Sequence, residues 1–195
     1  MTTSAMPGNE AYRATHIPST GRLFQQILFT ASRIYLAFYQ MPRKPFDYTL
    51  NFKTLDFRAR RDLYRIGKGE QGVLSVEPYK SEILPHWRFT TVGEAEKPSK
   101  KICQLFLNYV KAGDFPGADM ARKFLQMGWT RARRYAHHKS GRKYDPKTRA
   151  ALPPDVDQEK AAAAAVFYDK YVQAREHFEY CRQKEAHIRQ FEREP

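Results

Sequence analysis

Apolar residues spaced three and four positions apart dominate the C-terminal half of this chain of 195 residues. After a predicted loop at residues 93–99, they recur as Ile102, Leu105, Phe106, Tyr109 and Val110. This spacing puts them on one face of an α-helix, and Gly113 stands where a C-terminal cap would end it. A helix with one apolar face must pack against other elements, so the pattern constrains the fold strongly.

Two more helices are predicted further along. The second extends from about residue 114 to 135, with Pro116 in a first-turn position. The third begins with Asp155 or Asp157 as its N-cap and reaches His187. Its apolar seam consists of Phe167, Tyr171, Ala174, Phe178 and Cys181. The seam packs on the two earlier helices or, as the alternative, on a second copy of the chain, and the oligomeric state stays open.

Residues 46–90 have a different pattern, in which aromatic and β-branched residues occur in short pieces. The apolar members of the two clearest pieces are Tyr48, Leu50, Phe52, Val73, Leu74 and Val76. Such pieces are typical of short strands. We therefore expect an α+β fold, mainly helical, in which a small antiparallel sheet or hairpin packs on a C-terminal cluster of three helices.

The first 40 residues differ in composition from the remainder, and the change at Met41 is abrupt. They contain Ser and Thr, three Arg and one acid, Glu10, and the segment 23–39 has an apolar helical face. A mitochondrial presequence has this composition, and a poorly ordered extension before a second start at Met41 is the alternative. We expect an extension or presequence over residues 1–40 and a single domain over residues 41–195.

No apolar run reaches the length of a membrane span, because the most hydrophobic stretch, residues 23–39, contains Arg33 and two glutamines. Cys103 and Cys181 are far apart, which argues against a disulfide framework. We therefore expect an intracellular protein of the cytoplasm or nucleus, or of the mitochondrion if residues 1–40 are a presequence.

The positive charge is concentrated in one quarter of the chain. The net charge is +13, and residues 101–150 contribute +9 of it, from 12 Lys and Arg against three Asp and Glu. Residues 151–195 are slightly acidic, with seven basic and nine acidic residues. Because a charge needed only for solubility would be spread out, this distribution favours an anionic partner.

Residues 120–149 are the strongest candidate for a binding site. Helical spacing places Arg131, Arg134 and His138 on one face, and the aromatic residues between the cations have rings on which unpaired bases stack. We predict that the segment binds nucleic acid or another polyanion, with an acidic protein partner as the alternative. The predicted binding residues are Arg122, Lys123, Trp129, Arg131, Arg133, Arg134, His138, Lys139, Arg142 and Lys143, together with Trp87.

Gly67, Gly69 and Gly72 spell the motif GxGxxG. A dinucleotide-binding loop needs a strand before these glycines and a helix after them, whereas here the predicted strand follows. We therefore interpret the motif as a turn that uses the conformational freedom of glycine.

Three acidic and basic residues suggest a different function, that of a metal-dependent enzyme acting on a nucleic acid or phosphoester. Glu77, Lys80 and Glu82 combine carboxylates with a lysine, as such enzymes do. Ordinary surface ion pairs are the alternative explanation. His177 and Cys181 are four residues apart but lack further ligands, so we predict no metal site and no cofactor.

Three segments carry a family resemblance: residues 67–89 (GKGEQGVLSVEPYKSEILPHWRF), 114–145 (DFPGADMARKFLQMGWTRARRYAHHKSGRKYD) and 159–167 (EKAAAAAVF). In these segments the chain resembles members of the family called domain of unknown function 4385, over about residues 46–178. The resemblance implies no particular activity, cofactor or catalytic residue, so the functional interpretation depends on the residues themselves.

Overall fold

Helices provide most of the regular structure of this protein. The computed structural model describes residues 42–87, 92–137, 142–152 and 157–193, and the expectations for residues 1–40 lie outside these ranges. Within them the α-helices are α1 (Tyr79–Ile83), α2 (Val92–Lys111), α3 (Phe115–His137), α4 (Gln158–Arg175) and α5 (Phe178–His187). Short 3-10 turns at Arg61–Leu63 and Leu84–His86 and a π-helical turn at Ile188–Glu192 accompany them. The described residues from Arg43 onward belong to one compact unit.

The expected antiparallel sheet is absent from the described residues, so the prediction of an α+β fold is wrong. Over these ranges β pairing consists of two isolated bridges, Arg43 with Arg193 and Tyr144 with Ala151. The described part of the chain is therefore helical, with turns and irregular segments. No helix in that part is both long and apolar enough to cross a membrane.

Short polar side chains explain why the first expected strand does not form. Asp47, Asn51 and Asp56 each accept a hydrogen bond from the backbone amide two residues ahead, at 2.8, 3.2 and 2.7 Å. Such bonds close local turns and occupy amides that a β ladder would use. The segment therefore bends repeatedly.

The second expected strand is a series of turns that leads into α1. Gly72 has a φ of +84°, and its carbonyl accepts hydrogen bonds from the amides of Ser75 at 3.0 Å and Val76 at 3.1 Å. Val73 and Val76 are nevertheless buried. These β-branched residues indicated burial, and a strand was the wrong inference from it.

Aromatic rings from the N-terminal part of the described chain cover the helices in place of a sheet. Phe46 packs on Phe52 at 5.7 Å between ring centroids, Phe52 packs on Phe57 at 5.5 Å, and Phe57 packs on Tyr64 at 6.2 Å. Tyr64 then contacts Phe115 of α3 at 6.2 Å. We call the first four residues the aromatic cover.

Helix α2 begins at Val92, so the predicted loop at residues 93–99 is wrong. Ala95 and Ser99 are fully buried and continue the face of Ile102 towards the N-terminus at three- and four-residue steps. The two residues follow the helical spacing, but a pattern search based on large apolar residues does not detect such small side chains.

The predicted boundary between the first two long helices is confirmed. Helix α2 ends at Lys111, Gly113 has a φ of +65°, and α3 begins at Phe115. The Asp114 carboxylate accepts a hydrogen bond from the amide of Gly117 at 3.4 Å. An acidic residue before the first turn thus satisfies a helical amide.

The single C-terminal helix that was predicted is divided into α4 and α5. Asp157 caps α4 as expected, because its carboxylate accepts a hydrogen bond from a first-turn amide at 3.1 Å. Helix α4 ends at Arg175, and the His177 side chain caps α5. Phe178 lies beyond this break and is 81% exposed, so it is not part of the apolar seam.

Helix α3 packs against both α2 and α4 and carries much of the core. Its close approach to α4 occurs at Gly128, where a Cβ atom would lie 2.3 Å from Cδ1 of Phe167. Only glycine leaves room for that ring. Helix α3 therefore continues through Gly128 and packs tightly on α4 there, although glycine lowers helix propensity.

Replacing Gly128 with alanine should destabilise the fold by about 1–3 kcal/mol, because the added methyl group overlaps the Phe167 ring. Urea denaturation followed by circular dichroism measures the free energy of unfolding. Gly113→Ala is the comparison for a methyl group without overlap, since no atom lies within 4 Å of its added Cβ and only the strain of positive φ, about 1–2 kcal/mol, remains. A Gly128→Ala protein as stable as the wild type would contradict the close packing.

Candidate functional site

Two basic residues of the predicted binding segment are buried in the core. Lys123 is fully buried and Arg122 is 8% exposed. Both face the carboxylate of Asp119, which is fully buried one turn earlier on α3. Nε of Arg122 lies 3.0 Å from Oδ1 of Asp119, and Nζ of Lys123 lies 3.5 Å from Oδ2. The exposed basic surface therefore does not include these two side chains.

Two tyrosines complete the surroundings of Asp119. The hydroxyl groups of Tyr64 and Tyr180 donate hydrogen bonds to its carboxylate at 2.5 and 2.7 Å. Burial raises the pKa of the Asp119 carboxyl, but the charges of Arg122 and Lys123 and the two hydroxyl bonds outweigh burial and hold the pKa well below its usual range. These five residues form a buried ionic group, which we call the Asp119 cluster.

Lys123 also fixes the glycine-rich segment to α3. Its Nζ donates a hydrogen bond to the carbonyl of Gln71 at 2.8 Å, and nearby the Thr130 hydroxyl donates one to Glu70. Burial lowers the pKa of the Lys123 ammonium, and the Asp119 charge opposes that effect. The GxGxxG motif therefore forms structural turns against the helix, as expected, although not between strands.

The exposed cations of the predicted binding set lie on the C-terminal half of α3 and in the loop that follows. Arg131, Arg133 and Arg134 are all exposed. Within the ranges that the structure describes, no carboxylate lies within 4 Å of these three guanidinium groups. His138 and Lys139, which belong to the same predicted set, lie outside the described residues.

The basic loop is folded by its own acidic residue. The carboxylate of Asp145 accepts hydrogen bonds from the amides of Lys147 at 2.8 Å and Thr148 at 2.7 Å. Arg142 and Lys143 are exposed in the same loop. We call Arg131, Arg133, Arg134, Arg142 and Lys143 the basic surface.

An aromatic group on α3 and α4 contacts one residue of this surface. Trp129 stacks on Tyr171 with 5.8 Å between centroids and contacts Tyr168 at 4.9 Å. The guanidinium carbon of Arg133 lies 5.9 Å from the Trp129 ring centroid. Sequence reasoning missed Tyr168 because it lies outside the apolar seam of α4. The signal for it was a large aromatic residue on the polar side of a helix.

Trp87 has a different environment from the one predicted for a base-stacking residue. Its indole Nε1 donates a hydrogen bond to the carbonyl of Phe124 at 3.1 Å, and its ring packs on the Phe124 ring at 6.4 Å. The side chain is partly buried. Trp87 therefore contributes to the packing around α3.

The predicted catalytic candidates are all engaged in ion pairs. Glu77 pairs with Lys80. Glu82 accepts hydrogen bonds from both terminal nitrogens of Arg58, at 3.0 and 2.8 Å, and from the hydroxyl of Tyr109 at 2.5 Å. Across the described residues no three His, Cys, Asp or Glu side chains are grouped to hold a metal ion.

These ion pairs and the basic surface lie at opposite ends of α3. Arg58, which holds Glu82, also bonds Asp114 at 3.1 Å, immediately before the first residue of the helix. Arg131 is about 25 Å further along the helix axis, at about 1.5 Å per residue. The carboxylates and the basic surface therefore do not form a shared cleft.

A groove of about 410 Å³ opens between the end of α2 and the beginning of α5. It is lined by Leu107, Val110, Lys111, Gly113, His177, Glu179 and Gln183. None of the predicted binding residues lines it, so the groove is separate from the candidate interface.

The family of the chain follows from its match to a family model. The model is described as Domain of unknown function (DUF4385), and it matches residues 47–190. The chain belongs to the DUF4385 family. The match confirms the resemblance noted in the sequence, and the Asp119 cluster, the basic surface and the aromatic group all lie within the DUF4385 domain. No curated protein and no solved structure matches the chain.

In the DUF4385 domain, Asp119→Asn should lower the free energy of unfolding by about 3–5 kcal/mol, because Arg122 and Lys123 would stay buried without their counter-charge. Urea denaturation measures the loss. Asp62→Asn is the matched control, because the Asp62 carboxylate is half-exposed and pairs with Arg60. That surface pair is worth about 0–1 kcal/mol. Equal effects of the two substitutions would contradict the role of the buried charge.

The DUF4385 domain should also lose stability as the pH falls, because of His187. This side chain is buried, with Nε2 at 3.1 Å from the carbonyl oxygen of Tyr64, and burial lowers its pKa from 6.5 to about 4. Between these values the unfolded chain binds more protons than the folded chain. The free energy of unfolding should therefore fall by about 3 kcal/mol from pH 7 to pH 4 through this residue.

His187→Phe isolates this contribution, since phenylalanine does not titrate. The free energy of unfolding of the wild type should fall more steeply from pH 7 to pH 4 than that of the variant, as measured by urea denaturation at each pH. The charge of Asp119 raises the pKa of His187 and the charge of Arg65 lowers it. Burial raises the pKa of nearby Glu192, so protonation of Glu192 increases stability as the pH falls. All three are present in both proteins. Parallel pH profiles would contradict the prediction.

Proposed function

We propose that this DUF4385 domain binds nucleic acid through the basic surface. The observation that supports the proposal is the exposure of Arg131, Arg133 and Arg134 together, with no carboxylate within 4 Å in the described part of the chain. Guanidinium groups so placed contact phosphates and release the counterions that surround a nucleic acid. Arginine also suits phosphate because its planar donors match two oxygens at once.

The position of these arginines at the end of a helix has a simpler explanation in the helix dipole. Basic residues in the last turn stabilise a helix through its dipole. That effect operates within about one turn. It does not account for Arg131, which lies more than a turn before His137, or for Arg142 and Lys143 beyond the helix.

The proposed interface is smaller than the basic segment of the sequence. Arg122 and Lys123 neutralise Asp119 inside the core. Because both side chains are buried, they do not belong to the surface that a ligand contacts. The phosphate contacts are therefore assigned to the exposed cations alone.

A metal-dependent enzyme has less support than a binding protein. Glu77 and Glu82 are each paired with a cation, and the basic surface lies about 25 Å away along α3. In metal-assisted phosphoester chemistry, the carboxylates that hold the metal lie at the same phosphate that the protein binds. We therefore propose binding without assigning a reaction.

Replacing Arg131, Arg133 and Arg134 with alanine should weaken the binding of a labelled oligonucleotide. The slope of log K against log salt should decrease by about 2–3, because each lost phosphate contact removes about 0.7–0.9. Fluorescence anisotropy titrations at several salt concentrations measure both the affinity and the slope.

A triple alanine variant of Lys97, Lys100 and Lys101 is the matched control, since it removes the same charge from exposed positions on α2. Its effect on the slope should be small. Absence of binding at low salt, or equal effects of the two triple variants, would contradict the proposed interface. A protein partner that survives nuclease treatment, with no oligonucleotide binding, would favour an acidic protein ligand instead.

A further inference from the structure

The aromatic group of Trp129, Tyr168 and Tyr171 has a buried base and an exposed edge. Tyr171 is 8% exposed and lies almost parallel to Trp129, with 16° between the ring planes. Tyr168, in contact with the same Trp129 ring, is 41% exposed. Tyr168 is thus accessible from solvent, and the Trp129 ring that it contacts packs on the buried Tyr171 ring.

Guanidinium groups lie within cation–π distance of two of these rings. Arg133 lies over the Trp129 ring at 5.9 Å, and Arg175 lies over the Tyr171 ring at 5.5 Å. Cation–π contacts of this kind are worth about 0.5–1 kcal/mol each at exposed sites. Together with the packing among the rings, these contacts restrict the side chains of the aromatic group, which lowers the entropic cost of stacking another ring on it.

The surroundings of Tyr168 are free of negative charge along its own helix face. One turn earlier α4 has Ala164 and Ala165, and one turn later it has Tyr171 and Val172. Asp169 is adjacent in sequence but points about 100° away around the helix. A phosphate chain can therefore pass this face without meeting a carboxylate of the same face.

Exposed rings occur elsewhere among the basic residues. Tyr144 in the basic loop is 50% exposed, with Nζ of Lys143 5.4 Å from its ring, and Tyr135 on α3 is 44% exposed. A surface that contacts phosphates alone needs cations and gains nothing from aromatic rings. Cations interleaved with exposed rings are the arrangement that binds unpaired bases.

We infer that the ligand is single-stranded nucleic acid, with phosphates on the arginines of α3 and a base stacked against the Trp129–Tyr168 pair. In a duplex the base faces are covered by their neighbours and do not reach such rings. The inference rests on the proposed function and adds the class of nucleic acid to it.

Three labelled probes of equal length test the inference with the full chain in anisotropy titrations at one low salt concentration. They are an oligothymidylate, a duplex containing it, and a single strand with the same phosphates but abasic sugars. The oligothymidylate should bind about fivefold or more tightly than the abasic strand, since stacking one base changes affinity by about 5- to 150-fold. Equal affinities of the two single strands would overturn the inference.

Substitution of Tyr168 locates the stacking site. Tyr168→Ala should weaken oligothymidylate binding about fivefold or more and leave the abasic strand unaffected, whereas Tyr168→Phe keeps the ring and should keep the affinity. Equal losses for the two strands, or no loss for either, would overturn the assignment to this ring.

Failure of the proposed function has a different signature. In that case none of the three probes binds, and both the function and the inference are overturned. If the duplex binds more tightly than the oligothymidylate, the single-strand inference is overturned and the proposed function stands.

Discussion

Asp119 carries a negative charge in the fully buried centre of the domain, and the arrangement of three chain segments depends on it. On α3 it faces two cations, and it accepts hydrogen bonds from Tyr64 of the aromatic cover and Tyr180 of α5. Lys123 extends the same network to the carbonyl of Gln71. A buried charge is tolerated only when its partners are in place. The ion therefore joins segments that lie far apart in the sequence.

The charge of the basic segment has two separate consequences within one helix. In the first half of α3 the cations neutralise a core carboxylate and contribute to folding. In the second half they have no carboxylate beside them in the described part of the chain, and their charge extends into solvent. Net charge therefore overstates the charge presented to a ligand, and burial decides how much of it is accessible.

Local chemistry was sufficient to predict two helix boundaries, at Gly113 and Asp157, but not the start of α2, the break after α4 or the fold of the N-terminal half. Gly113 and Asp157 determine a boundary through their own backbone and side-chain bonds, so the sequence pattern identified them. Val73 and Val76 are buried by partners elsewhere in the chain, and a β-branched pair alone does not distinguish burial in a turn from burial in a strand. The burial of Arg122 was not predicted either, although Asp119 three residues earlier indicated an ion pair along the helix.

The absence of a side chain in glycine at position 128 affects more than the packing of the core. Because α3 and α4 meet closely there, the adjacent Trp129 is brought against the tyrosines of α4. The spacing between Trp129 and the tyrosines therefore depends on the buried contact between Gly128 and Phe167. A larger residue at position 128 would overlap the Phe167 ring and separate the two helices, so the dimensions of this exposed face depend on a buried position.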